Sequence, residues 1–328
     1  MKRLPLAVGI ALVLGLLVAV SSADAQSKTP RLGMLLTGSS SSTAQAPQLQ
    51  ALAKALGELG WVEGQNLVVD RRWAERPDQL PGLAAELVRS NVSVILAPGP
   101  DAARAAAAAS SNIPIVMIAS TDPRQVGVAS LAHPGGNLTG LTIGEVVVVE
   151  KRLELLKAVI PGLSRVVVLW DVNRRRDGEG ASAVMAGPAR ALGLQLQHVD
   201  VKSVQDFESL FKTARSSRAG AVLIIESPRA VENRSLVAEL GLKNRLPVMS
   251  QFSPIVEAGG LMSYGADLND LFRRAAGYVD KILKGTAPSA LPIEQPSKYW
   301  LVVNLKTAKA LGLVIPQSLR LRADQILE

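Results

Sequence analysis

The chain has 328 residues, a formal net charge of +8 and no cysteine, so it offers neither a disulfide nor a thiolate for catalysis or metal binding. Aromatic residues are only 3% of the total and are not interleaved with basic ones, which argues against a surface that stacks single-stranded bases. No nucleic-acid partner is expected. The one dense basic run, Arg174-Arg175-Arg176, lies among Asp177, Gly178 and Gly180 and reads as a solvated loop, with a phosphate or partner site as the alternative.

Lys2 and Arg3 precede an apolar run from Leu6 to Val20, followed by small residues ending in Ala23-Asp24-Ala25. Charged start, short apolar middle and an A-x-A site are the parts of a secretory signal peptide, and predict cleavage after Ala25. An uncleaved anchor is the alternative, although spanning a bilayer takes roughly 20 apolar residues. Cleavage lowers the net charge to about +7 and leaves about 300 residues, more than one typical core holds and comfortable for two domains. Without a cysteine after the signal there is no lipid attachment, so the expectation is a free periplasmic protein.

From Arg31 onward, runs rich in Val, Ile and Leu alternate with amphipathic stretches, the pattern of a parallel sheet covered by helices on both faces. The fold class is α/β. Strands are predicted at 31–37, 67–73, 92–97, 115–119 and 138–143. Helices are predicted within 39–60, where Leu49, Leu52, Ala53, Leu56 and Leu59 keep helical spacing before Gly60, and at 79–90, 101–110 and 125–132.

The second half repeats the plan. Strands at 165–170, 195–201, 221–225 and 247–250 alternate with helices at 181–192, 204–216 and 228–243. Asn112-Ile113-Pro114-Ile115-Val116-Met117 recurs loosely as Asn244-Arg245-Leu246-Pro247-Val248-Met249, as duplicated βα units of similar length predict, or as convergence on helix-turn-strand chemistry. After Ser250 the alternation breaks into a strand at 261–265, a helix at 268–283 closed by Gly285, an extended segment at 293–304 containing Pro296, and a last helix through Leu311. Those elements are enough to return to the first unit and recross, which makes a hinge.

Several stretches carry a resemblance. They are Leu59-Gly60-Trp61-Val62-Glu63-Gly64-Gln65-Asn66, Arg72-Trp73-Ala74-Glu75, Leu80 to Val88, Asp122-Pro123 and His133-Pro134-Gly135-Gly136-Asn137-Leu138-Thr139-Gly140. Lys151 to Leu156, Glu257 to Gly265 and Val303 to Ala308 complete the set. In this order and spacing the chain resembles the ABC transporter substrate-binding proteins of the tryptophan/tyrosine-type group, within the type I periplasmic binding protein superfamily.

The resemblance implies two Rossmann-like lobes joined by three hinge crossings. The first lobe is 26–142 plus about 262–295, and the second is 143–261 plus about 296–328. It also implies a small solute, an amino acid or another small organic molecule, held in the cleft between lobes, and a closed liganded form read by the permease subunits of an ABC importer. The protein itself is expected to be a monomer.

Loops after the carboxyl ends of parallel strands converge on a crevice, where helix N-termini offer N–H groups. The candidate ligand residues follow from position: Thr37, Gly38 and Ser39; Pro98, Gly99, Pro100 and Asp101; Ser120, Thr121 and Asp122; Asp171 and Asn173; Glu226 and Ser227; Ser250, Gln251 and Phe252; and Tyr264 where the chain recrosses. Gly99 and the helix near Asp101 are placed to present amides to a carboxylate, and Asp122, Asp171 or Glu226 to pair with an amine. The structural alternatives are that Asp101, Ser120 and Asp122 cap helices and that Tyr264 packs the hinge.

One loop departs from the resembled group, in which a Gly-Gly-Thr-Pro-like segment is usual after strand three. Here it reads Ala97-Pro98-Gly99-Pro100, without the threonine hydroxyl that could donate to a ligand carboxylate. The serine run Ser39 to Ser42 stands where bulkier residues are usual, which predicts a roomier, more polar cleft.

For an enzyme the inventory is poor. His133 and His198 are the only imidazoles, one in a turn and one in a predicted strand, and G-x-S-x-G, Walker A and H-E-x-x-H are all absent. Neither catalysis, cofactor nor metal is expected. The readings kept beside a transport receptor are an exported sensing domain that signals through a membrane partner and a secreted enzyme.

Overall fold

The computed structural model describes residues 29–40, 46–119, 128–143, 145–171, 180–225, 227–296 and 298–328. The predicted export segment, the basic run at 174–176, and Ser120, Thr121, Asp122, Asn173 and Glu226 lie outside the described residues. Among the described residues, no helix is long and apolar enough to cross a membrane.

The first sheet is made of β1 (Arg31–Thr37), β2 (Val68–Ala74), β3 (Val94–Pro98), β4 (Ile115–Ala119) and β5 (Leu138–Thr142). They run parallel in the order β2-β1-β3-β4-β5. The connecting helices are α1 (Pro47–Glu58), α2 (Leu80–Arg89) and α3 (Pro100–Ala109). α1 starts at a proline, whose missing N–H is not needed at a helix start, and buries Leu52, Ala55 and Leu56. Gly60 then leaves the helix at φ +91°, and the Trp61 N–H closes onto the Leu56 carbonyl at 2.8 Å. In α2 the buried residues are Leu80, Ala84 and Leu87, a single helical stripe.

The sequence pattern names no element between Ile143 and Arg165. The structure has a helix there, α4 (Glu145–Val159), followed by β6 (Arg165–Asp171), α5 (Gly180–Ala191), β7 (Gln195–Val201), α6 (Asp206–Ser216), β8 (Ala221–Ile224), α7 (Pro228–Glu232), α8 (Arg234–Lys243), β9 (Val248–Ser250), α9 (Ser253–Glu257) and β10 (Met262–Gly265). Val146 to Val149 are β-branched and weak helix formers, so local propensity hides α4; the burial of Val149, Leu153, Leu155 and Leu156 on the second lobe's core holds it. The single helix expected at 228–243 is two, broken at Asn233, which ends one and begins the next. The helix expected at 125–132 is absent over its described part, 128–132, where Ser130 Oγ instead closes a turn with the His133 backbone.

The β7-β6-β8-β9-β10 portion of the second sheet has the order of the first sheet, and the equivalence reaches single hydrogen bonds. Ile95 N–H donates to the Pro114 carbonyl at 2.8 Å, and Val222 N–H to that of Pro247 at 2.9 Å; Ser93 N–H donates to the Arg31 carbonyl, and Gly220 N–H to that of Arg165. The paired prolines of the sequence repeat therefore occupy the same place in two sheets.

β10 belongs to the second sheet, so the chain leaves for the first lobe after Gly265, not at Met262. α10 (Leu268–Leu283), capped by the Asp267 carboxylate at the Asn269 N–H, lays Leu271, Phe272, Ala275, Ala276 and Val279 on the same core as α1 and β1. The next segment runs along the free edge of β5. Glu294 N–H donates to the Gly140 carbonyl at 3.0 Å, and Thr142 N–H to the Glu294 carbonyl at 2.9 Å. Gly140 is required there, because a Cβ in its place stands 2.2 Å from the Met117 carbonyl oxygen and φ is +132°.

The extended segment expected at 293–304 is a strand only over β11 (Trp300–Asn304), which returns antiparallel to β10. α11 (Leu305–Ala310), α12 (Gln317–Arg322) and the edge strand β12 (Gln325–Leu327) finish the second lobe. Arg152 of α4, fully buried, donates through Nε to the Tyr264 carbonyl at 2.7 Å and ties the first crossing to the second.

Candidate functional site

The carboxyl ends of both sheets face each other across a cavity of about 190 Å³. From the first lobe it is lined by Leu36 and Thr37 at the end of β1, Trp73 on β2, Pro98, Gly99 and Pro100 after β3, Ile118 on β4 and Ile143 after β5. The second lobe contributes Ser227, Val231 and Glu232 from α7 and its cap, and Phe252 after β9; Leu49 and Gln48 of α1 and Leu268 and Phe272 of α10 complete it. The walls are mostly apolar with a few polar groups, the usual constitution of a small-molecule site. Trp73, Phe252 and Phe272 come from a chain with only four Trp, three Tyr and four Phe. A larger groove of about 480 Å³ lies between α1, α10 and the segment before β11, where Lys54, Glu58, Asp267, Asp270, Arg273 and Lys298 alternate with small and apolar residues.

Of the described sequence candidates, Thr37, Pro98, Gly99, Pro100, Ser227 and Phe252 line the cavity. Gly38 and Ser39 border it through the β1 loop. Gly38 N–H is bonded to the Ala74 carbonyl at 2.9 Å, so it holds the edge of the sheet. Gly99 stands at φ +90° as the N-cap of α3, and its N–H donates to the Ile118 carbonyl at 2.8 Å. That corrects the expectation of a Gly99 amide presented to a carboxylate. Pro100 has no N–H to add. The Asp101 carboxylate pairs with Arg104 one turn along α3.

In the second lobe the Ser227 hydroxyl accepts from the Ala230 N–H at 3.1 Å and caps α7. Ser250 is buried and its hydroxyl donates to the Phe252 carbonyl at 2.5 Å, closing the turn that presents the Phe252 ring. Gln251 is buried behind that turn. Asp171 ends β6. Tyr264 packs on the second lobe's core and stands 5.9 Å, centroid to centroid, from the Tyr299 ring, so its placement matches hinge packing.

Glu232 is the residue that the loop-based reading missed, because it sits at the last turn of α7 and not in the loop after β8. Its carboxylate accepts a hydrogen bond from the Ser39 backbone N–H and so joins the two lobes. The residue is exposed to solvent in the cleft, and the neighbouring walls take away only part of the water around its carboxylate. That loss of solvent, the largest effect, pushes its pKa above the ordinary glutamate value; Arg229 and the Ser39 N–H oppose the rise, and Glu75 adds to it. A pattern search could have found Glu232 only by extending the Ser227 cap through one helical turn.

Two α/β lobes with a cleft at their strand ends define a bilobal solute-binding protein. The family model for ABC transporter substrate binding proteins matches residues 41–327, and the chain belongs to that family. A tyrosine-binding protein of Clostridioides difficile is 26% identical over 280 residues, 83% of this chain and 77% of that one. A conserved domain protein from Vibrio cholerae shares the fold at a TM-score of 0.82 and 24% identity, covering 91% of this chain and 100% of its own. An ABC domain in complex with L-Trp from Streptococcus pneumonia matches at 0.81 and 23%, covering 92% and 100%. The ligand-free, open structure of a Clostridium difficile substrate binding protein with adhesive properties matches at 0.63 and 22%, covering 91% and 99%. These likenesses define the fold as that of the type I periplasmic binding proteins.

Proposed function

We propose that this chain is an exported receptor of an ABC importer that captures a small organic solute with an aromatic or branched apolar body and presents it to the permease. The observation that carries this reading is the cavity between the lobes, walled by Trp73, Phe252 and Phe272 and bridged by Glu232 and Ser39. The relatives whose names mention tyrosine and L-Trp handle solutes with aromatic bodies, which agrees with those walls. The better superposition on the L-Trp complex than on the open, ligand-free relative, at nearly equal identity and coverage, is what a closed arrangement of lobes produces. Closure then follows from ligand contacts made to both lobes at once, which shift an open–closed equilibrium.

Export through the N-terminal segment with cleavage after Ala25 belongs to the same reading, as does a monomeric state with lobes divided near 142, 265 and 296. The test is small-angle scattering of the purified chain with and without a ligand found by thermal-shift screening, followed by ATPase measurements on a candidate permease complex from the same organism. Compaction and stimulation by the liganded form are the expected results. A proven ligand that leaves the radius of gyration unchanged sinks capture by closure.

A further inference from the structure

We infer that the crossover from β11 to β12 docks on an anionic lipid bilayer, with Val314 and Leu321 entering the headgroup region and Lys306, Lys309, Arg320 and Arg322 facing lipid phosphates. None of these six residues lines the cavity between the lobes, so the inference stands apart from the solute reading above.

Val314 is 83% exposed and Leu321 79%. Keeping that much apolar surface in water is unfavourable, and no other large apolar side chain among the described residues exceeds the 40% of Val62. The packing of their neighbours sets the outward direction. Ile315 and Leu319 are buried on the second lobe's core, and Leu313 packs against it. Val314, between Leu313 and Ile315, turns the other way. Leu321 follows Leu319 by two residues in α12, roughly 200° around the helix axis, with an arginine on each side.

The charges agree with this geometry. From Leu305 to Ala323 the chain has four basic residues and no acidic one, and all four are exposed. In α11, buried Thr307 and Ala308 mark the inner face, so Lys306 and Lys309, three positions apart, share the outer one. The acids that follow are Asp324, paired with Lys298 at 2.5 Å and bonded by the Leu301 N–H at 2.8 Å, and the exposed Glu328 beyond β12.

Projecting apolar side chains among long cationic ones are what an interfacial membrane surface uses: the apolar groups sink to the headgroup boundary and the cations attract anionic lipid. The core of a protein–protein interface is instead depleted of charge, lysine above all. In an exported receptor without a cysteine for lipid attachment, such a surface holds the chain near the bilayer by contact alone.

The test is cosedimentation with phosphatidylcholine vesicles, with and without phosphatidylglycerol, of the chain from Gln26 onward, which holds every described residue and lacks the apolar leader. Binding is expected to the phosphatidylglycerol vesicles and to weaken with added salt. It is expected to fall about tenfold or more in Val314→Ser with Leu321→Ser, and again in Arg320→Gln with Arg322→Gln. Lys306→Gln with Lys309→Gln gives a third route to the same loss, and Val62→Ser on the first lobe is expected to bind as the parent does. Because the altered side chains are exposed, each variant is expected to melt cooperatively near the parent temperature. No binding to anionic vesicles, or equal binding by the parent and the Val314/Leu321 variant, overturns the inference. So does self-association in sedimentation velocity that Leu321→Ser abolishes, which assigns the surface to a second copy of the chain.

Discussion

Trp61 and Asp280, 219 positions apart, are joined by a hydrogen bond of 2.8 Å from the indole N–H to the carboxylate. The bond fastens the turn after α1 to the far end of α10, the helix that returns from the second lobe. Asp280 is also paired with Lys284 at 2.6 Å. Burial alone raises its pKa, and the hydrogen bonds from Lys284 and Trp61 more than reverse that, so the net position is below the ordinary 3.8.

Trp61→Phe keeps the ring and removes the donor, and is expected to lower stability by about 1.5–3 kcal/mol, the range for a hydrogen bond to a charged group. Because the folded pKa of Asp280 is depressed, its contribution is present above the unfolded value and lost as pH falls through the folded one. Urea unfolding at pH 7 and at pH 3 therefore separates the two chains at neutral pH and brings them closer in acid. An equal gap at both values counts against the bond to Asp280 as the cause.

At the second crossing, a Cβ on Gly265 stands 2.1 Å from the Gln251 carbonyl oxygen. Backbone cannot yield as a flexible side chain does, so Gly265→Ala is expected to cost about 3 kcal/mol, and to weaken ligand binding by moving the Gln251–Phe252 turn. Melting curves and titration of the variant measure the two effects. Wild-type stability in Gly265→Ala means that the crossing is looser than the packing indicates.

Phe252→Ala removes one apolar wall of the cavity, contributed by a half-buried ring. Loss of roughly 1.5–3 kcal/mol of apolar contact corresponds to a binding constant weaker by about ten- to a hundredfold. The melting temperature without ligand is expected to change little. A variant that binds normally places the solute elsewhere.

The motifs behind the family resemblance turn out to be joints of the scaffold. Asn304 caps α11 at the Thr307 N–H and donates to the Val256 carbonyl, while the Thr307 hydroxyl donates to the Gly259 carbonyl; the stretch 257–265 and the stretch 303–308 thus hold each other. Asn137 spans the Ser110 and Ile113 carbonyls, and Arg72 meets Glu86 at 2.9 Å. Such residues identify a fold without touching the solute. The cleft residues Trp73, Gly99 and Phe252 lie in or beside readable strand ends, whereas Glu232 stands one turn further on.

By itself the sequence determined most of the strands and helices and their repeated alternation in the two halves, because hydrophobic periodicity and glycine or proline punctuation are local signals; the strand order within each sheet came from the structure. It also placed the cleft, since the carboxyl ends of parallel strands converge wherever such a sheet forms. Only the tertiary structure decided which polar groups in that cleft stay available. The partners of Gly38 and Gly99 are Ala74 and Ile118 on neighbouring strands, and that of Ser39 is Glu232 on the other lobe; no local pattern specifies hydrogen bonds between residues so distant in sequence.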